Sequence, residues 1–239
     1  MTIASQAKQI VDAAPEGVVL TMRDFDVTEE EQLALLKALS RLVASGELEK
    51  VAKGKYYKPK ETMFGSLKPG IEELLKDLLT DGGKTIGYIT GAPAFLEMGL
   101  TTQISSAIVI GTNRYRRPIE RGGYAISFLA QGNPITKGNI PLLRILDAIK
   151  LMREIPAATP DESICAVRRL IETLGEESQE KLVKLALEYT PYVRAVLGAI
   201  FESLGKEVPL LRKSLNGLTN YKLPISEEAL PTKRNWNIV

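Results

Sequence analysis

The apolar positions of the first residues follow a helical period and then a strand period. Between residues 3 and 14 they recur every three or four positions, which predicts an amphipathic helix that ends at Pro15. Residues 18–20 are a short apolar run that predicts a strand, and Thr21 can cap a brief helical turn over residues 22–25. The pattern therefore predicts a helix, a strand and a tight helical turn, in that order.

A second and longer helix follows. Residues 28–31 read Thr-Glu-Glu-Glu, a capping box in which Thr28 and Glu31 satisfy each other's free backbone amides, and Gly46 supplies a left-handed stop after Ser45. The helical period assigns one face to the core. The predicted core positions are Leu35, Leu36, Leu39, Leu42 and Val43. The predicted outward positions are Lys37, Ser40, Arg41 and Ala44.

Two short alternating runs, residues 48–53 and 56–58, flank a turn at Gly54-Lys55 and predict a β-hairpin. A helix, short strand, helical turn, longer helix and hairpin within sixty residues is the order of a winged helix-turn-helix. In that layout the longer helix enters the major groove of DNA, while the hairpin, or wing, contacts flanking phosphates.

The side chains of this predicted domain suggest how it would contact double-stranded DNA. Lys37 and Arg41 can donate to guanine edges, and Ser40 can bind a base or a phosphate. The wing lysines, which extend to Lys60, would release counterions from DNA, so that binding weakens with salt. The complete set of predicted DNA contacts is Arg23, Lys37, Ser40, Arg41, Lys50, Lys53, Lys55 and Lys58.

The charge balance supports a second hypothesis. Residues 1–62 contain nine Lys and Arg against ten Asp and Glu, a net charge of −1. Glu29, Glu30 and Glu31 stand where a recognition helix approaches phosphates, which would repel them. These glutamates can instead complement the helix dipole of a domain that binds protein. A protein-interaction adaptor is therefore the alternative to a DNA-binding domain.

Beyond the winged helix, residues 58–62 are interpreted as a linker, and the pattern changes to mixed strands and helices. Helices are predicted from residue 140 onward, while the Pro-, Asn-, Lys- and Ser-rich residues 206–239 are predicted to be an irregular tail. The predicted fold class is α+β. Its domains are a winged helix over residues 1–62, an α/β domain ending in a helical subdomain over 63–205, and the tail.

An arginine-rich segment between two predicted strands, residues 107–110 and 124–129, is a possible second basic patch. It could bind nucleic acid or an acidic partner, and the alternative is that it is only an exposed charged hairpin between the two strands. Its members are Arg114, Arg116, Arg117 and Arg121.

Composition narrows the chemistry. The chain has no histidine and a single cysteine, Cys165, which is predicted to be a small buried hydrophobe. Histidine-dependent nucleophiles and zinc sites are thereby excluded, and no phosphate-loop motif is present. We expect no catalytic residues, metal site or cofactor; an enzyme acting on nucleotides through Asp, Glu, Lys or Ser is the weakest alternative. No apolar run suits a bilayer or a signal peptide, so a cytoplasmic location is expected.

Several short motifs, in order, resemble AbiEi-type antitoxins of abortive-infection toxin-antitoxin operons. They are residues 37–43 with Gly46 and Leu48, the wing sequence of residues 54–57, residues 99–103, the arginine-rich segment, and residues 192–199. The resemblance spans roughly residues 5–205. It implies a winged helix that represses its own operon by binding promoter repeats, with the DNA role on Lys37, Ser40, Arg41 and the wing lysines. It also implies a second domain that opposes a co-encoded nucleotidyltransferase-like toxin, without assigning residues to that role.

Overall fold

A computed structural model describes residues 2–63 and 65–239, and its fold is α+β. The α-helices of these residues are α1 (Ile3–Ala13), α2 (Gln32–Ala44), α3 (Ile71–Leu79), α4 (Ala92–Glu97), α5 (Ile140–Lys150), α6 (Pro160–Glu172), α7 (Glu176–Ala186), α8 (Pro191–Ser203) and α9 (Pro209–Lys213). The strands are β1 (Val19–Thr21), β2 (Glu49–Ala52), β3 (Lys55–Tyr57), β4 (Lys60–Thr62), β5 (Gly65–Leu67), β6 (Thr80–Asp81), β7 (Lys84–Thr85), β8 (Gly87–Thr90), β9 (Ala107–Thr112), β10 (Ile119–Arg121) and β11 (Tyr124–Ala130).

The chain divides into two compact units. The first contains the residues up to Asp77 together with Glu120–Tyr124, and the second contains Leu78–Ile119 and Ala125–Val239. The first unit therefore extends beyond residue 62, where the sequence pattern placed the domain boundary. The second unit includes the residues that were predicted to form a tail.

The first unit is built around the predicted winged helix. After α1 and β1, a short 3₁₀ helix (Met22–Phe25) begins at Thr21, whose backbone amide donates to Asp24 at 2.6 Å. Helix α2 follows, and strands β2 and β3 form the wing. The three strands pair antiparallel in the order β1-β3-β2, and Gly54 takes a φ of 69° at the wing turn, a conformation that favours glycine.

Helix α2 differs from the sequence prediction at two points. It begins at Gln32 because Thr28 and Glu31 close the preceding turn: both the amide and the hydroxyl of Thr28 donate to Glu31 at 3.0 Å. The prediction that Leu36 belongs to the core was wrong, since this side chain is 38% exposed and the buried face includes Ala38 instead. Lys37, like the other predicted outward positions, is exposed, as predicted.

The segment predicted to be a linker is part of the first unit. Strands β4 and β5 form an antiparallel hairpin there, with Glu61 opposite Ser66. The Ser66 hydroxyl donates to Glu49 of the wing at 2.8 Å. Residues 71–77 of α3 also belong to this unit, where the Val19 amide donates to Glu73 at 3.1 Å. The linker interpretation was therefore wrong, because Lys60–Thr62 form a strand and the backbone carbonyl of Lys58 accepts from the Gly17 amide at 2.9 Å.

The second unit combines a small sheet with a helical layer. Its strands pair in the order β11-β9-β8, with β9 antiparallel to β8 and parallel to β11. Because β9 and β11 are parallel, the connection that carries the arginine-rich segment returns the chain to the edge of the sheet at which β9 begins. Helix α5 has seven buried residues among its eleven and packs against α6, α7 and α8. Cys165 of α6 is only partly buried against this core.

The residues after 205 are largely irregular, as predicted, apart from α9 and a 3₁₀ helix (Lys233–Trp236), but they pack against the helical layer and do not hang free as a tail. Trp236 is buried against α8, where the ring occupies the space that a side chain at Gly198 would need. Tyr221 forms a parallel bridge with Ile238, and the Trp236 indole donates to Glu202 at 2.7 Å. Across the part of the chain that the structure describes, no helix has both the length and the apolar character needed to cross a bilayer.

Candidate nucleic-acid interface

Helix α2 presents a continuous outward face. Leu35 and Leu39 are fully buried in the core of the first unit, which fixes the rotation of the helix. On the opposite side, Lys37, Ser40 and Arg41 are exposed, and the Ser40 hydroxyl donates to a backbone carbonyl one turn earlier at 2.8 Å. The face therefore offers two cationic groups and a hydroxyl whose oxygen can still accept a hydrogen bond.

The wing lysines fall into two groups. Lys50 and Lys53 are exposed, as is Lys60 at the start of β4. Lys55 and Lys58 are partly buried and engaged: Lys55 pairs with the Asp77 carboxylate at 3.1 Å, and Lys58 donates to the Asp12 carbonyl at 3.2 Å. Lys50, Lys53 and Lys60 are therefore available to contact phosphates, whereas Lys55 and Lys58 are not readily available.

Several cations of the first unit form no direct ion pair with a carboxylate of the described residues. Among residues 2–63 and 65–239, no ion pair or side-chain hydrogen bond engages the charged groups of a set that spans the 3₁₀ turn, α2 and the wing. The set, here called the cationic face after the single DNA-binding surface that it is predicted to form, consists of Arg23, Lys37, Arg41, Lys50, Lys53 and Lys60. Glu31 is engaged by Thr28, and Glu29 and Glu30 are exposed. The acidic start of α2 therefore does not neutralise these cations through direct pairs.

The outward face of α2 also carries two leucines that the sequence pattern did not single out as site residues. Leu33 is 72% exposed and Leu36 is 38% exposed. At about 100° per residue, both lie on the side of Lys37 and Ser40. The angular positions of Leu33 and Leu36 relative to Leu35 and Leu39 were the available sequence signal. The outward face is thus mixed, with apolar groups in its first turns and cations toward its end.

Asp77 of α3 binds two cationic side chains of the first unit. It accepts from Arg121 at 2.6 Å and from Lys55, while Arg121 also donates to the Leu74 carbonyl at 3.0 Å. Burial raises the pKa of the Asp77 carboxyl, but hydrogen bonds from Arg121 and Lys55 and their positive charges lower it by more, so the net shift is downward. Arg121 is only 6% exposed. The expectation that Arg121 belongs to an exposed basic patch was therefore wrong.

A hydrogen bond between the side chains of Tyr57 and Glu49 stabilises the wing itself. The Tyr57 hydroxyl donates to Glu49 on the neighbouring strand, and these residues are direct partners in the β2–β3 register. Burial and the adjacent carboxylate raise the pKa of Tyr57 to about 12, while hydrogen bonds from Tyr57 and Ser66 lower the pKa of Glu49. This polar pair is structural, since both groups are satisfied by each other.

In the second unit, the other three arginines of the predicted patch lie on the connection after β9. Arg114 and Arg117 are exposed, and Arg116 is partly buried with its guanidinium 5.9 Å from the centre of the Phe128 ring. Tyr115 between them is 91% exposed. Arg114 and Arg117 are thus exposed together with the ring of Tyr115, whereas Arg116 is held near Phe128.

The second unit also contains a buried polar network that the sequence pattern did not indicate. The fully buried Asp147 accepts from Tyr88 at 2.7 Å and from Tyr189 at 2.8 Å, and Gln131 donates to both tyrosine hydroxyls. Burial raises the pKa of the Asp147 carboxyl, against the lowering effect of the two hydroxyls. A lone carboxylate in the apolar sequence of α5 was the available signal. The network lies in the core and is not open to a substrate.

Comparison with known proteins places the chain in a family. A family model described as a family of unknown function, DUF6088, matches residues 6–182. The chain belongs to the DUF6088 family. The region that DUF6088 matches contains the cationic face, the arginine-rich connection and Asp147, and it ends within α7. No curated protein matches the sequence.

A solved structure resembles the fold of this DUF6088 chain over most of its length. The crystal structure of the Rv2827c protein from Mycobacterium tuberculosis superposes with a TM-score of 0.53 and 16% sequence identity. The match covers 92% of this chain and 84% of that one. At this identity the likeness concerns the fold alone.

Proposed function

We propose that this protein is a DNA-binding transcriptional autorepressor and the antitoxin of a toxin-antitoxin operon, acting in the cytoplasm without catalysis of its own. Its winged helix would bind double-stranded DNA of its own promoter. Its second unit would oppose a nucleotidyltransferase-like toxin. The observation that carries the DNA-binding part is the unpaired cationic face on α2 and the wing of a winged helix-turn-helix.

These cations have no carboxylate partner among the described residues. Lys37 and Arg41 are exposed on the helix that a winged helix-turn-helix places in the major groove, where they can reach base edges. Lys50 and Lys53 are exposed on the wing, where they can contact phosphates. Counterion release on phosphate binding then offsets the repulsion from Glu29 and its neighbours. Promoter occupancy would repress transcription by steric exclusion.

The antitoxin part is supported by the likeness to AbiEi-type antitoxins, which concerns motifs in both units. Within the second unit these are residues 99–103, the arginine-rich connection and residues 192–199 of α8. The proposal assigns no residue to antitoxicity. Its test is growth: co-expression of the chain with a nucleotidyltransferase-like protein encoded beside it should restore growth that the toxin alone arrests.

DNA binding is tested by fluorescence anisotropy with a labelled duplex from the region upstream of the gene, at two salt concentrations. We expect Lys37→Ala/Arg41→Ala to weaken binding by about 1–3 kcal/mol for each of the two side chains that reaches a base. The matched control is Arg169→Ala/Lys213→Ala, which removes the same charge from exposed positions of the second unit. Equal binding by the wild type and the Lys37/Arg41 variant would contradict the proposal.

The adaptor hypothesis remains as a second function because of one observation. Leu33 and Leu36 are exposed beside Glu29 and Glu30, and apolar groups bordered by acidic ones suit a partner protein with a basic rim. A Leu33→Ala/Leu36→Ala variant distinguishes the two functions. If the protein is an adaptor, the wild type should show no measurable promoter binding at low salt. In a pull-down, the wild type should then retain a partner protein that the Leu33/Leu36 variant loses. A DNA-binding protein would bind the promoter whether or not the partner is present.

A further inference from the structure

The carboxyl edge of the small sheet in the second unit brings two connections together. Strands β9 and β11 are parallel, and their last residues, Thr112 and Ala130, are direct partners. The chain therefore leaves both strands at the same edge. The Asn113 side-chain amide donates to the Gln131 carbonyl at 2.5 Å and to the Asn133 carbonyl at 2.8 Å, so it joins the two connections at their base.

The first connection exposes an aromatic ring among guanidinium groups. Tyr115 is 91% exposed, although a tyrosine normally buries most of its ring. Arg114 and Arg117 on either side are exposed, while Arg116 is held near the Phe128 ring. The Arg114 backbone amide donates to the Thr112 hydroxyl at 3.3 Å, which fixes the start of the segment.

The charges around this segment are predominantly positive. None of the ion pairs in the described residues includes Arg114, Arg116 or Arg117. The carboxylates to consider are Glu120, exposed further along the same connection, and Glu188, whose side chain lies against Gly132 of the neighbouring connection. The arginines therefore remain available for an anionic ligand.

An exposed ring beside free guanidinium groups matches the chemistry of an unpaired nucleotide. A base can stack on tyrosine only when it is not already stacked within a duplex, and guanidinium groups bind the phosphates on either side of it. We propose that residues 113–117 bind single-stranded nucleic acid, with a base on Tyr115 and phosphates on Arg114 and Arg117. This site belongs to the second unit and does not depend on duplex binding by the cationic face.

The test uses the full-length protein and fluorescein-labelled single strands of about 12 nucleotides. Oligouridylate and oligodeoxyuridylate, which differ only at the 2′ position, distinguish RNA from DNA, and tighter binding of either identifies the preferred sugar. We expect Tyr115→Ala to weaken the preferred strand by about five-fold or more, and Tyr115→Phe, which keeps the ring, to stay within about two-fold of the wild type. Arg114→Ala/Arg117→Ala should lower the salt slope by about 0.7 for each arginine that binds a phosphate.

Three controls make the result decisive. Arg169→Ala/Lys213→Ala, which removes the same charge elsewhere in the second unit, should bind both strands as the wild type does. Lys50→Ala/Lys53→Ala should leave single-strand binding unchanged, since these lysines belong to the winged helix. Tryptophan emission from Trp236, the only tryptophan, should show that the Tyr115 variants remain folded.

Each opposite outcome overturns the proposal. Unchanged affinity of Tyr115→Ala would remove the stacking role, and loss of single-strand binding in the Lys50/Lys53 variant would move the site to the wing. Displacement of the strands by polyglutamate at equal charge concentration would show that the segment binds acidic protein instead.

Discussion

Arg121 donates to Asp77 at 2.6 Å, although the two residues are 44 positions apart in the sequence. The same carboxylate accepts from Lys55 at the wing turn, so a single acidic group of α3 holds two cations of the first unit. This arrangement explains why Lys55 and Arg121, two of the twelve basic and polar residues that the sequence suggested for nucleic-acid contact, are not available for it.

Asp77→Ala should destabilise the first unit. The change leaves the buried guanidinium of Arg121 without its carboxylate, although the Leu74 carbonyl remains as an acceptor. Because Asp77 is itself partly exposed, we expect the free energy of unfolding to fall by about 1–3 kcal/mol, less than for a fully buried pair. Urea denaturation followed by circular dichroism measures it. Glu72→Ala, an exposed carboxylate on the same helix, serves as the control and should change stability much less.

The same pair predicts a pH dependence. The pKa of Asp77 is lower in the folded than in the unfolded protein, where it is about 3.9. Its stabilisation is therefore complete above that unfolded value and is lost as the pH falls through the folded pKa. The urea midpoints of the wild type and Asp77→Asn should differ at neutral pH and should converge below about pH 4. A difference that stays constant with pH would contradict this assignment.

The wing lysines should differ in their effect on DNA binding. Lys50→Ala/Lys53→Ala removes two exposed ammonium groups, and the slope of log affinity against log salt should fall by about 0.9 for each lysine that binds a phosphate. Lys55→Ala removes a lysine that already pairs with Asp77, so its effect on the slope should be smaller. Anisotropy titrations with the promoter duplex measure both. A larger effect from Lys55 would show that its pair with Asp77 opens when DNA binds.

Asp147 should make the second unit less stable as the pH rises. Burial raises the pKa of this carboxyl above its unfolded value of about 3.9. The stability linked to its protonated form is complete below the unfolded pKa and is lost as the pH rises through the folded pKa. Asp147→Asn stays neutral and can still bond with Tyr88 and Tyr189. Relative to this variant, the wild type should therefore lose stability upward from about pH 4, as monitored by Trp236 emission in urea. A parallel pH profile for both proteins would refute the assignment.

Gly198→Ala should disrupt the packing of the C-terminal residues on α8. A methyl group at this position would lie 2.2 Å from the Trp236 ring, which is closer than carbon atoms approach. We expect the free energy of unfolding to fall by about 1–3 kcal/mol or more, together with a red shift of the Trp236 emission. Gly217→Ala is the matched control, since nothing lies within 4 Å of its added methyl group. An unchanged emission spectrum for Gly198→Ala would mean that Trp236 does not pack on α8 in solution.

The sequence by itself determined the order of the main elements and the class of the fold. The helical period fixed α2 and its outward Lys37, and glycine at the wing turn fixed the hairpin. These features depend on residues a few positions apart, whose periodicity and backbone preferences are visible in a single sequence. The cationic groups of Lys50 and Lys53 were likewise found from sequence, because exposed charges at a turn need no partner.

Only the tertiary structure decided which charged groups are free and where the units end. Lys55 and Arg121 meet Asp77, and Trp236 packs on Gly198, through contacts between residues far apart in the chain. Such contacts leave no periodic signal in a sequence, since burial and pairing depend on how whole elements pack. For the same reason the sequence pattern placed Leu36 in the core: helical period defines a face, but the neighbouring elements decide how wide that face is.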